Sequence, residues 1–336
     1  MSNQAFQVNR AKQLVYQRPA PPTARPFFTD KIQCRKMLKV AWSPIYKYQL
    51  PEGHRFPMAK YELLPEQLLY EGTLKEENFF RPEPVAEAVI LWTHEEAYWN
   101  KLKNLALDPK EIRAIGFPMS EILVKRGTHI ANGTLECARF ALQFGCAMNI
   151  AGGTHHSFTC KGEGFCLLND IGIAANYLLR KGLAKKILVV DLDVHQGNGT
   201  AQIFRDEPGV FTFSMHGEKN YPLRKEQSDL DIGLADGTED SLYLKILQNT
   251  LPALLEEVQP DFIFYLSGVD VLATDKLGRL KMTMQGCKER DRLVLQICKL
   301  NNIPLAVSMG GGYSERLAQV VEAHANTFRA AQEVFF

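Results

Sequence analysis

The stretch Ile187-Leu-Val-Val-Asp-Leu-Asp-Val-His-Gln-Gly-Asn-Gly199 decides the fold. Its first half is a continuous apolar run rich in β-branched residues, without the strict alternation of a half-exposed strand. Such a run fits a strand buried on both faces, as in a parallel sheet. Its second half turns polar and then glycine-rich, which ends the strand. Val210-Phe-Thr-Phe-Ser-Met-His216, Phe262-Ile-Phe-Tyr-Leu-Ser-Gly-Val-Asp270 and Ile303-Pro-Leu-Ala-Val-Ser-Met309 follow the same plan. Helical stretches lie around them, over 170–180, 241–258, 286–300 and 314–331. Strand, helix, strand at this spacing predicts βαβ units and a doubly wound sheet.

Working outward, the strand endings carry the chemistry. They are Gly152-Gly-Thr-His-His156, Asp191 to Gly199, Ser214-Met-His216, Ser267-Gly-Val-Asp270 and Gly310-Gly-Gly-Tyr313. Ligands of open α/β sheets bind outside the carboxyl ends of strands, so these endings bring His, Asp and Tyr to one rim. Asp191, Asp193 and His195 stand at i, i+2 and i+4, a spacing that puts three side chains on one face of a strand. Two carboxylates buried side by side need a cation or hydrogen bonds, and a divalent metal is the simplest compensation. Capping of the next helix is the plainer alternative, and phosphoryl-transfer enzymes use a DxD as well. Asp270, with Asp193 and His195, completes two carboxylates and one imidazole, an open site with room for water and a carbonyl.

His155 and His156 are adjacent, so both reach one cleft only from an irregular loop. Paired imidazoles beside a metal suit general acid–base work. The glycines before Tyr313 permit positive φ and close approach. A phenol delivered there can donate to an oxyanion; a phosphate loop or a helix entry are the alternatives. Phe165, in Gly162-Glu-Gly-Phe165, fits either a channel wall or a core position.

Composition narrows the classes. The chain has 336 residues, 46% hydrophobic and 23% charged, and a net charge of +1. These values exclude a strongly basic nucleic-acid binder and an acidic solvating chain. No apolar run is long enough to span a membrane. Seven cysteines with no CxxC indicate buried thiols in a reducing, cytoplasmic setting. A zinc knuckle on Cys160 and Cys166 is disfavoured by their spacing. The first 40 residues carry eight basic side chains and one acid, Asp30. Pro19, Pro21, Pro22 and Pro26 break helices there, and no secretory apolar core is present. The expected organisation is a basic surface arm over 1–38, preferred to a transit peptide, and one catalytic domain over 39–336.

Together these stretches make the chain similar to the zinc-dependent histone deacetylase family and its acetylpolyamine amidohydrolase relatives. The matching residues are Gly152-Gly-Thr-His-His-Ser157, Gly162 to Asp170, Asp191 to Thr200, Ser267-Gly-Val-Asp-Val271 and Gly310 to Tyr313, in the family's order. The match begins at Val40-Ala-Trp-Ser-Pro-Ile-Tyr46 and Gly53-His54. His195-Gln-Gly-Asn-Gly199, Thr238-Glu-Asp240 and Asp275-Lys-Leu-Gly278 resemble the class IV branch most. The resemblance implies a single α/β domain of arginase–deacetylase type, with a mostly parallel sheet of about eight strands and helices on both faces. It implies one Zn2+ on Asp193, His195 and Asp270, with His155 and His156 acting on water and His156 as general base and acid. It implies that Tyr313 polarises the acyl carbonyl and that Gly164, Phe165 and Tyr221 line the acyl tunnel. Asp191 then supports His155 and helps hold a structural K+. The implied substrate is an acyl-lysine protein, with acetylpolyamines or other small N-acyl amines as the alternative.

Three positions depart from the family pattern. Asn198 replaces a frequent Asp behind the second histidine, and Tyr221 replaces a frequent Phe. Gly116 stands where several members place an Asp that grips the substrate backbone. A scaffold that has lost catalysis, and phosphoryl transfer from the DxD, are competing readings; the first fits poorly with intact zinc, His and Tyr positions, the second with Asp270 and Tyr313.

Overall fold

The structure is a computed structural model, and it describes residues 36–336. The basic arm expected over 1–38 therefore lies almost wholly outside the described residues. The remainder forms one sheet of eight strands. In chain order these are β1 (Lys39–Ala41), β2 (Phe79–Phe80), β3 (Cys146–Asn149), β4 (Ile187–Asp191), β5 (Val210–Gly217), β6 (Leu230–Leu234), β7 (Phe262–Leu266) and β8 (Leu305–Ser308). Their order across the sheet is β2-β1-β3-β8-β7-β4-β5-β6. Every pair is parallel, so all eight carboxyl ends reach the same edge. Of the four runs read as doubly buried, β4, β7 and β8 are buried at every residue and β5 at all but Phe211.

Helices cover the sheet in two groups. Glu121–Phe144 packs on β1, β3 and β8 and on Asp170–Arg180; Met284–Leu300 packs between Asp240–Val258 and Leu317–Phe335. Three helices start within two residues of the sequence expectation. The last begins at Leu317, not 314, because Ser314 pairs with Asp275 in an isolated bridge. The 24-residue helix Glu121–Phe144 escapes the sequence reading, since Gly127, Gly133 and β-branched residues dilute its helical signal. Gly133 is needed there: a Cβ would press on the Asn149 amide at 2.8 Å and on the Tyr46 hydroxyl.

One expectation fails in detail. β4 ends at Asp191, so Asp193 and His195 lie beyond the strand and share no strand face with Asp191. The loop, not the two-residue strand period, brings them to the rim.

Candidate active site

β3, β8, β7 and β4 are consecutive neighbours at the centre of the sheet. The loops leaving them carry, respectively, His155 and His156, Gly310 to Tyr313, Asp270, and Asp193 with His195. Adjacent parallel strands thus place residues more than a hundred positions apart within contact distance.

Asp193, His195 and Asp270 converge, one ligand atom from each lying within 4.8 Å of the others, and all three are buried. His195 Nδ1 is 3.0 Å from Asp193 Oδ1 and 3.2 Å from Asp270 Oδ2. Backbone amides fix the carboxylates: Gly311 N–H donates to Asp193 Oδ2 at 2.8 Å, and Val194 N–H to Asp270 Oδ1 at 3.0 Å. A Cβ at residue 311 would collide with both carboxylates, which is why the second of the three glycines stands there. Burial opposes charge on both acids. At Asp193 the histidines His155 and His195 overcome it and hold the carboxyl well below its usual range; at Asp270 burial and the Asp193 charge raise the pKa to about 7. Burial likewise opposes a charged His195, yet the two carboxylates raise it to about 10. The cluster therefore holds a positive charge firmly. Its donor set, two carboxylates and one imidazole, suits Zn2+. Asp270 Oδ2 is buried and has no polar partner besides the His195 ring at 3.2 Å, which suits an ion ligand. Among the described residues this is the one group of three or more His, Cys, Asp and Glu whose ligand atoms lie close enough to hold a metal ion.

Asp191 turns away from this cluster. Its Oδ2 lies 2.7 Å from His155 Nδ1, and its Oδ1 accepts from Asp193 N–H at 3.1 Å. Both oxygens are thus engaged, which leaves a K+ ion only their remaining lone pairs. His156 Nδ1 lies 2.7 Å from Asn198 Oδ1. The two histidine rings are 4.1 Å apart in an irregular turn, as two neighbours facing one cleft require. Their charge states diverge. Burial disfavours the charged form of His155, but Asp191 raises its pKa above the ordinary value. Burial, then His155 and His195, push His156 well below that value. Burial, then the Asp270 and Asp193 charges, raise the Tyr313 phenol well above its ordinary range, so it keeps its proton. His216, at the end of β5, joins Ser214 Oγ at 2.9 Å and stays outside the cluster.

A narrow cavity of about 50 Å³ leads to these groups, walled by Phe56, Gly164, Phe165 and Tyr313. Phe56 and Phe165 meet edge to face at 5.1 Å. Tyr221 stands at 90° to the His156 ring, 4.9 Å away, beside the cavity and not in its lining. Gly116 ends the helix Pro109–Ile115 with φ of 80°, and its carbonyl is 2.9 Å from His54 Nε2. A Cβ there would meet Phe165 at 3.1 Å, so this position serves the wall and brings no carboxylate.

Two contributors were missed in the sequence. Phe56 carried no motif. Arg290 sits on the apolar stripe of Met284–Leu300 with Cys287 and Val294, and a charge on that stripe was a usable signal. It is fully buried, pairs with Asp291, and donates to the carbonyls of Leu192 (3.1 Å) and Gly268 (2.6 Å). Arg290 thereby clamps the two loops that carry the metal-type residues.

Comparison with known proteins gives the family and the fold. The histone deacetylase domain matches residues 54–328. An uncharacterized protein of Picosynechococcus is 46% identical over 296 residues, 88% of this chain and 99% of its own. Histone deacetylase 2 of Arabidopsis thaliana is 29% identical over 277 residues, 80% of this chain and 72% of its own. A solved histone deacetylase homologue in complex with SAHA superimposes with a TM-score of 0.77 at 24% identity, covering 89% of this chain and 84% of that one.

Proposed function

This chain belongs to the histone deacetylase family, and we propose that it is a zinc-dependent amidohydrolase removing acetyl or other acyl groups from protein lysine side chains. The observation that carries this is the meeting of Asp193, His195 and Asp270 with two histidines, one paired with Asp191 and the other with Asn198, at one rim. One Zn2+ per chain on those three residues supplies Lewis acidity toward the amide carbonyl and lowers the pKa of a water.

The remaining work belongs to the chain. Phe56, Gly164 and Phe165 exclude water from an aliphatic stem and align it on the cavity axis. His156, neutral, takes the proton of the attacking water at Nε2. Tyr313, still protonated, donates to the carbonyl oxygen as it gains negative charge. His155, kept charged by Asp191, stabilises the same developing charge. His156 then returns its proton to the leaving nitrogen, the C–N bond breaks, and the products are a carboxylic acid and an amine. The class IV placement belongs to this reading and rests on the motif wording from His195 to Gly199 and its companions.

A second reading, hydrolysis of an acetylpolyamine or another small N-acyl amine, is favoured by Gly116. The left-handed turn that seats Phe165 offers no carboxylate at that position to hold a peptide backbone. A panel of acyl-lysine peptides, from acetyl to long-chain acyl, and acetylated polyamines separates the two. Turnover on the peptides is expected. Turnover confined to the polyamines would establish the second reading, and none on any amide would overturn both.

A further inference from the structure

Glu163 lies in the loop between the paired histidines and the helix Asp170–Arg180. Its side chain is only 14% exposed. Oε1 accepts two hydrogen bonds, from Asn198 Nδ2 at 2.7 Å and from the Tyr221 hydroxyl at 2.7 Å. Oε2 faces Lys161 Nζ at 3.0 Å. With the 2.7 Å contact between Asn198 Oδ1 and His156 Nδ1, this makes one unbroken chain from Tyr221 through Glu163 and Asn198 to His156.

The chain has a direction. A carboxylate carries no hydrogen and can only accept. The end of the Asn198 amide that faces Glu163 must therefore be its NH2 group. The amide oxygen then faces His156, and the nitrogen opposite it must carry the hydrogen. A neutral imidazole has one N–H, so the lone pair is left on Nε2. An aspartate at position 198 could only accept, and would fix the same tautomer unaided. An asparagine presents a donor at one end and an acceptor at the other, and does not choose between them.

We propose that Glu163 is a positioning residue that sets the tautomer of His156 through Asn198, supplying the polarity that a neutral partner lacks. The inference rests on the reading of His156 as general base. Through Tyr221 the same carboxylate also holds the ring that stands over His156.

The test uses full-length zinc-loaded protein with 15N-labelled histidine, reading the His156 tautomer by NMR alongside kcat and KM. The parent protein shows hydrogen on Nδ1. Glu163→Gln can donate as well as accept, so His156 becomes a mixture of tautomers. In that variant kcat falls about 10–100-fold while KM stays within about twofold. Asn198→Asp alone sets two carboxylates against each other and also loses activity. Asn198→Asp combined with Glu163→Gln restores a single direction, because the glutamine donates to the aspartate and the aspartate accepts from Nδ1. It recovers most of kcat and the single tautomer. An unchanged tautomer with kcat within about twofold in Glu163→Gln overturns the proposal, as does a double variant no better than Asn198→Asp. Should the parent turn over no amide, the function fails but the NMR arm still decides: a tautomer shift in Glu163→Gln upholds the positioning role, and its absence overturns it.

Discussion

At Tyr313 three influences coincide: three preceding glycines, an N–H that donates to Asp275 Oδ2 at 2.5 Å, and a ring against Phe56 at 5.9 Å. The hydroxyl can donate to a developing oxyanion, because its proton is held by burial and by the nearby carboxylates. Tyr313→Phe is expected to lower kcat by about 10²–10³, with zinc content and KM little changed. Steady-state kinetics with metal analysis checks this, and unchanged turnover would remove Tyr313 from the mechanism. The residue types and most of the rim were legible in the sequence, because strand endings in a parallel sheet share an edge. The geometry of Asp191 was not. Its spacing from Asp193 and His195 suggested one strand face, but the strand stops at Asp191 and hydrogen bonding turns that side chain to His155. Phe56 was invisible because it makes the wall by packing, and packing leaves no local motif.

At the scale of elements, the helices hold the rim in shape from behind. His94 Nδ1–H donates to Phe158 O at 2.9 Å, and its Nε2 accepts from Asn169 N–H at 3.0 Å, at the N-cap of Asp170–Arg180. The bond accepted at Nε2 needs the neutral ring, and burial lowers its pKa to about 4. The unfolded chain binds a proton at this histidine below its ordinary value of 6.5 and the folded chain does not, so stability falls as pH drops from about 6.5 toward 4. The loss approaches about 3 kcal/mol from this one group. Denaturant melts at several pH values should show that slope, and His94→Gln should flatten it. Arg290 does comparable work on Met284–Leu300. Removing one partner of a buried ion pair costs about 3–5 kcal/mol. Arg290→Met should therefore lower stability by that order and weaken zinc retention, since it frees the Leu192 and Gly268 carbonyls. A variant with parental stability and parental metal content would contradict the clamp.

At the scale of the molecule, the doubly wound architecture was readable from four strands, although the sheet has eight. β1, β2 and β3 are short and β6 alternates between exposed and half-buried residues, so none of the four announces itself as a buried run. The core runs from Leu38 to Phe335; the metal-type residues and the paired histidines are buried with it, while Phe165 and Tyr313 pack against it from the cavity wall. Residues 39–336 are proposed as the catalytic domain, so deleting residues 1–36 should leave the melting temperature and turnover nearly unchanged; lost folding or activity would show that the arm is part of it. No helix among the described residues is long and apolar enough to cross a membrane. The central claim is that Asp193, His195 and Asp270 hold the ion on which amide hydrolysis depends. Its most direct test is to strip the protein of metal and titrate Zn2+ back while following deacylation. Turnover should be absent at the start, rise with each addition and level off at about one Zn2+ per chain, and stay flat throughout in Asp193→Ala. Undiminished turnover by the stripped protein, or by Asp193→Ala, would contradict the account.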